Sequence, residues 1–155
     1  MTRSRRLRPL HELAVEAEQA AGRSLADAER AVLEASQRLA QLEGYEADYR
    51  VALRDRAAAG IGAAGLRDYQ AFLARLGEAV AHQQAALARV RQERDTARER
   101  WLQLNSRRRV VGKVIEQSVA DDRRALDRRE QRDSDERAQR SAGGSGSDDS
   151  DCAAR

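Results

Sequence analysis

The sequence predicts an all-α protein: a long two-helix antiparallel coiled-coil hairpin with the second helix overhanging the first, and a disordered C-terminal tail. Three observations lead there. Aromatic residues are only 3% of the 155 residues, against 41% hydrophobic and 35% charged, which is too few rings for a thick core. The apolar inventory is mostly Ala and Leu among Arg, Glu and Gln, the composition of long helices packed along a thin seam. The chain holds a single Pro, and its apolar residues recur at steps of three and four over two long stretches.

In chain order, residues 1–6 are basic and polar and read as a flexible start. The first helix is expected over about residues 7–56. Leu7, Leu10, Ala14, Ala17, Ala21, Leu25, Ala28, Val32, Ala35, Leu39, Leu42, Tyr45, Tyr49 and Leu53 trace its stripe. Irregular steps near Ala21 and Tyr45 read as local stutters in a heptad pattern. Pro9 is placed near the helix start, where the first turn needs no amide donor. Residues 57–65, AAAGIGAAG, hold three of the ten glycines and read as the turn.

The second helix is expected over about residues 66–140. Leu66, Tyr69, Leu73, Leu76, Val80, Gln83, Leu87, Val90, Arg94, Ala97, Trp101, Leu104, Arg108, Val111 and Ile115 alternate steps of three and four without a slip. Eleven of these fifteen are apolar even without Tyr, where random placement would give about six. Two long helices joined by a short Gly/Ala turn fold back on one another. At 1.5 Å per residue they would extend about 75 and 110 Å, so the second overhangs. Folding about Ile61 sets Leu10 opposite Gly112, Tyr49 beside Leu73 and Tyr45 near Leu76. Residues beyond about 118 are then left without a partner, and residues 120–140 read as a solvated single helix held by charge pairs. Residues 141–155, ending GGSGSDDSDCAAR with Cys152, read as a disordered tail.

The sequence excludes several functions. No apolar stretch of the roughly 7–15 residues a secretory signal needs follows the basic start, and no run of about 18 apolar residues would span a bilayer. Cys152 has no second cysteine to pair with, so the expected compartment is the reducing cytoplasm. Gly60-Ile-Gly-Ala-Ala-Gly65 spells a dinucleotide-binding pattern, but no strand precedes it, and it reads as the hairpin turn. His11-Glu12 starts like a zincin helix, yet position 15 is Val, and His82 is the only other histidine. No metal, cofactor or catalytic centre is expected, because Ser and Cys lack a His base and the carboxylates lie on solvated faces. The Arg clusters 107–109, 123–124 and 128–129 pose a nucleic-acid alternative. However, residues 107–140 carry eleven basic and eight acidic side chains, and this mixed sign opposes phosphate binding.

Four of the five aromatics, Tyr45, Tyr49, Tyr69 and Phe72, gather near the turn. Phe72 is one position off the Tyr69/Leu73/Leu76 stripe, so Phe72, Leu76 and Ala79 share a flank, which suggests a docking surface. At these residues the chain resembles the FliJ family of flagellar export proteins. The matching text is Leu39-Ala-Gln-Leu-Glu-Gly-Tyr45-Glu-Ala-Asp-Tyr49-Arg50 in the first helix and Tyr69-Gln-Ala-Phe72-Leu-Ala-Arg-Leu76 in the second. The LxxYxxxYR and YxxFLxxL spacings are followed by a Gln-rich stretch and Trp101, and the resemblance covers about residues 7–140.

The resemblance implies a non-enzymatic stalk or adaptor in the bacterial flagellar type III export apparatus, required for flagellum assembly and hence motility and chemotaxis. Such a protein would sit in the cytoplasm, peripherally at the cytoplasmic face of the inner membrane and reaching it only through the apparatus. It implies an antiparallel coiled coil like the central stalk of rotary ATPases, inserted by its terminal end into the export ATPase ring. The implied partners are that ATPase, the cytoplasmic region of the export gate membrane protein, and export chaperones. Carried over by position, the gate-binding cluster is Leu42, Tyr45, Tyr49, Phe72, Leu76 and Ala79. The terminal basic residues Arg107, Arg108, Arg109, Arg123 and Arg124 are candidates for the ATPase ring. The chain departs from the compared family member at the cluster's edge, where Arg38 and Gln83 replace a Gln and a His. The equivalent stalk protein of a virulence type III secretion system remains the alternative within the same architecture.

Overall fold

Ala, Leu, Arg, Glu and Gln all favour the helix, and nothing between residues 10 and 59 or after Gly65 breaks the run except isolated glycines. In the computed structural model, which describes residues 3–143, helix α1 spans Arg3–Ala59 and helix α2 spans Ala63–Gly143. The helices pack together, and the described residues contain no strand. Both helices outrun the periodicity. Residues 3–6, expected to be flexible, are the first turn of α1, and residues 141–143, expected in the tail, end α2. The remainder of the expected tail, with Cys152, lies outside the described residues.

The early start moves Pro9 from the first turn into the helix interior. There the missing amide leaves the Arg5 carbonyl without its usual helical donor.

The connection is shorter than the nine residues expected, running only from Gly60 to Gly62. Gly60 takes φ +95°, the left-handed conformation that closes helices and that a Cβ disfavours, and its amide donates to the Ala57 carbonyl at 3.3 Å. The Leu66 amide reaches the Gly62 carbonyl at 3.0 Å to open α2. Gly65 leaves room for Ile61, whose Cγ1 would stand 3.1 Å from a Cβ at that position.

The chain divides into two units, Val15–Arg107 and, among the described residues, 3–14 with 108–143. In Val15–Arg107 the buried apolar side chains are Ala21, Ala35, Val80 and Leu87. Burial of Val80 and Leu87 contributes roughly 1.5–3 kcal/mol each. Polar residues share this seam: Gln83 Nε2 donates to the Ala35 carbonyl at 3.1 Å, and Asn105 Nδ2 donates to Glu18 Oε1 at 2.5 Å. Gly22 makes room for the Trp101 indole, whose Nε1 lies 3.5 Å from where a Cβ would stand.

In the unit of residues 3–14 and 108–143, His11 packs against Gly112, with Nε2 3.7 Å from the position of an added Cβ. Ser118 is buried, and Ser4 Oγ donates to Asp122 Oδ2 at 2.9 Å. Pairing therefore continues past residue 118, where it was expected to stop. It reaches farther because α1 begins four residues early and because α2 keeps its step of three and four through Ser118, Asp122 and Ala125, all withdrawn from solvent. Every residue from Leu126 to Gly143 is exposed.

The seam of α1 also differs from its apolar stripe. Among the residues of α1 withdrawn from solvent, Ser4, Leu7, His11, Ala14, Glu18, Ala21, Leu25, Ala28, Val32, Ala35, Leu39, Leu42, Glu46 and Leu53 form one row, with Val15, Ala17, Gly22, Ala31, Ser36 and Ala52 withdrawn beside it. With Tyr49 between Glu46 and Leu53 in that row, the steps alternate three and four throughout, so there is no stutter. Leu10 and Tyr45, placed in the seam by hydrophobicity, are exposed; His11 and Glu46 hold those places.

Candidate functional site

The aromatic cluster lies within Val15–Arg107. Tyr49 follows Leu42 by one heptad on α1, and Tyr69, Phe72 and Leu76 sit on successive turns of α2. Across the helices the Tyr49 and Phe72 rings stack, with centroids 4.2 Å apart and planes 27° apart. Tyr69 meets Tyr49 at 5.9 Å and 51°. Offset and tilted geometries of this kind stabilise ring pairs by about 0.5–1.5 kcal/mol beyond area burial. Tyr49 and Phe72 are each 38% exposed, so the stack is half open to solvent, and Tyr45 is 60% exposed.

The other three positions of the expected gate-binding cluster are less open. Leu42 and Leu76 are half-buried in the seam, and Ala79 is half-buried beside the buried Val80. The result is an exposed aromatic surface resting on an aliphatic footing. Two residues outside the expected cluster belong to this geometry. Tyr69 supplies the second ring contact, a place signalled by its step of three from Phe72. Glu46, half-buried, accepts from the Arg50 guanidinium at 2.6 Å, which holds the Arg of the LxxYxxxYR text beside Tyr49. Gln83, one of the two departures from the family pattern, spends its amide on the Ala35 carbonyl within the seam.

The expected ATPase-contact residues are distributed differently. Arg107, exposed, ends the Val15–Arg107 unit. In the other unit Arg108 is withdrawn into the seam, whereas Arg109, Arg123 and Arg124 are exposed. Arg124 Nη1 stands 3.7 Å from Asp121 Oδ1, both well solvated, an ion pair worth little to stability.

An open groove of about 450 Å³ runs along Ala21, Ser24, Thr96 and Ala97, bounded by Arg89, Glu93 and Arg100. Small side chains on both helices leave this space, and Arg89 and Glu93 face each other there at 3.8 Å. No group of three or more His, Cys, Asp or Glu able to hold a metal is found among the described residues. No described helix is long and apolar enough to cross a membrane.

Residues 3–147 match the family described as Flagellar FliJ protein. The chain belongs to the FliJ family. FliJ membership covers nearly the whole sequence, both helices and the aromatic cluster included, and implies a component of the flagellar export apparatus. No curated protein and no solved structure matches this FliJ-family chain.

Proposed function

We propose that this FliJ-family chain is a non-enzymatic stalk and adaptor of the flagellar export apparatus, binding the export ATPase ring and coupling it to the export gate and to chaperones. The observation that supports this reading best is the half-open Tyr49–Phe72 stack, set within a chain that matches the family over residues 3–147. Aromatic side chains held rigid by each other and partly exposed make efficient anchors, since little rotamer freedom is left to lose on binding. Leu42, Tyr45, Tyr49, Phe72, Leu76 and Ala79 form the gate-binding surface in this reading, with Tyr69 and Glu46–Arg50 as its support.

The ATPase contact is assigned to the basic residues Arg108, Arg109, Arg123 and Arg124, with Arg107 at the end of the neighbouring unit. An adaptor that binds the assembled ring more tightly than free subunits stabilises the ring by linkage, without catalysis of its own. The match is to the flagellar family, which favours this reading over a virulence-type equivalent. The deciding experiment is a binding measurement between the purified chain and the cytoplasmic region of the export gate. Binding that requires Tyr49 and Phe72 supports the assignment, and binding indifferent to them removes it.

A further inference from the structure

Residues 3–14 lie against residues 108–125 through a thin, polar seam. Of its nine places, five are polar, namely Ser4, His11, Arg108, Ser118 and Asp122. Among the described residues, every buried apolar side chain falls in Val15–Arg107, and the one buried residue of the other unit is Ser118. Gly112, where His11 packs, adds no side chain to the contact. The α1 segment therefore gains little apolar burial from its partner.

Charge works against the same contact. Residues 3–14 carry four arginines and one acid, and residues 108–125 carry five basic and three acidic side chains. By contrast, residues 15–107 carry fourteen of each sign and residues 126–143 five of each. The basic excess of the described chain thus stands on the two facing segments of this end. Glu12, Glu116, Asp121 and Asp122 offset it only in part, and closing the contact brings like net charges together.

The segment is also poorly held as a helix in its own right. Its arginines, Arg3, Arg5, Arg6 and Arg8, crowd the positive end of the α1 dipole, and no acid stands in the first turn, an unfavourable placement for cations. Pro9 removes an amide donor from the middle of the segment. Away from α2, only this weakened propensity would keep residues 3–14 wound.

We propose that residues 3–14 are a salt-sensitive strap, which unwinds from α2 and winds back onto it while Val15–Arg107 stays paired. Opening uncovers Val111, Ile115 and Ser118 on α2. Screening the arginines closes the strap, and low ionic strength opens it. Such local opening belongs to the part of a fold with the fewest buried apolar contacts. The strap requires nothing of the aromatic cluster or of the ATPase contact.

Hydrogen exchange of the full chain tests this at about 20 mM and about 500 mM NaCl, between which the screening length falls from about 20 Å to about 4 Å. At low salt the amides of residues 7–14 should be at least about 100-fold less protected than those of residues 80–87. High salt should slow exchange in residues 7–14 by about fivefold or more and leave residues 80–87 within about twofold. Exposed ion pairs weaken as salt rises, so they cannot produce this slowing. R5E/R6E should exchange at low salt as slowly as the parent does at high salt. Spin labels on C152A/L13C/V110C, at two exposed apolar positions level across the hairpin, give a second reading. Electron–electron resonance should show a longer-distance population at low salt that shrinks at high salt. Protection of residues 7–14 equal to that of 80–87, exchange there indifferent to salt, a salt response that R5E/R6E leaves intact, or one unchanged label distance overturns the proposal.

Discussion

Tyr49 of α1 stacks on Phe72 of α2 with ring centroids 4.2 Å apart, so the two halves of the FliJ sequence text become one surface only in the folded hairpin. Neither ring is deeply buried, and each helix keeps its seam through Leu42, Leu53, Leu73 and Leu76. Replacing both rings should therefore affect recognition far more than folding. The Y49A/F72A variant is expected to keep its helical circular dichroism and to lose about 1–2 kcal/mol of stability. Its affinity for the export gate's cytoplasmic region should fall about tenfold or more. Unchanged affinity in a calorimetric titration would remove the cluster from the gate interface.

The glycines allow a sharper test of the local geometry. Gly22 has ordinary helical φ, and an added Cβ would meet Trp101 Nε1 at 3.5 Å and Cδ1 at 3.6 Å, a normal van der Waals contact. G22A should thus stabilise the protein by about 0.5–1 kcal/mol through helix propensity. Gly60, at φ +95°, is the reverse case, and G60A should destabilise by about 1–2 kcal/mol. Opposite shifts in thermal midpoint are the expected result; a destabilised G22A would mean that the indole packs more closely against α1 than described.

Much of the fold was legible in the sequence because a coiled coil writes its contacts into a period. All fifteen α2 positions chosen by spacing are withdrawn from solvent. What hydrophobicity misread were the places where a polar side chain holds the seam. At Leu10/His11, Ala17/Glu18 and Tyr45/Glu46 the more apolar neighbour was chosen, and the false shift produced stutters that do not exist. Spacing alone would have picked His11 and Glu46, since the heptad continues through them. The end of pairing was misplaced for the same reason: Ser118 and Asp122 extend the seam in polar form, and Ser4 answers Asp122. Of the candidate site, the gathering of the rings near the turn was legible, but their pairing was not. Register arithmetic set Tyr49 beside Leu73, whereas the stack forms with Phe72, one residue to the side, where a large ring finds room at the edge of a narrow seam.

The stability of the hairpin rests on few deeply buried side chains, so single substitutions there should be felt strongly. Leu87 is 5% exposed. L87A should cost about 2–3 kcal/mol, toward the low end for buried leucines because two helices close on a small cavity more easily than a multilayered core does. L33A removes the same atoms from an exposed face and should stay within about 0.5 kcal/mol of the parent. Chemical denaturation of the two variants measures the contrast directly, and similar midpoints would contradict the seam described for Val15–Arg107.

The paired part of α2 ends at Ala125, and the helix beyond it is exposed. Residues 126–143 are exposed without exception, and the ion pair within them, Arg140–Glu136 at 3.5 Å, is solvated and local to the helix. A chain ending at Ala125 should accordingly unfold at nearly the parent's thermal midpoint, although its ellipticity falls by the share of helix removed. It retains Arg108, Arg109, Arg123 and Arg124, so stimulation of the export ATPase should survive this truncation if those residues make the contact. The full-length R123E/R124E variant should instead lose most stimulation while remaining folded, because both side chains are exposed and hold no seam position. Full stimulation by R123E/R124E, or its loss on truncation at Ala125, would move the ATPase contact away from these arginines and onto the exposed end of α2.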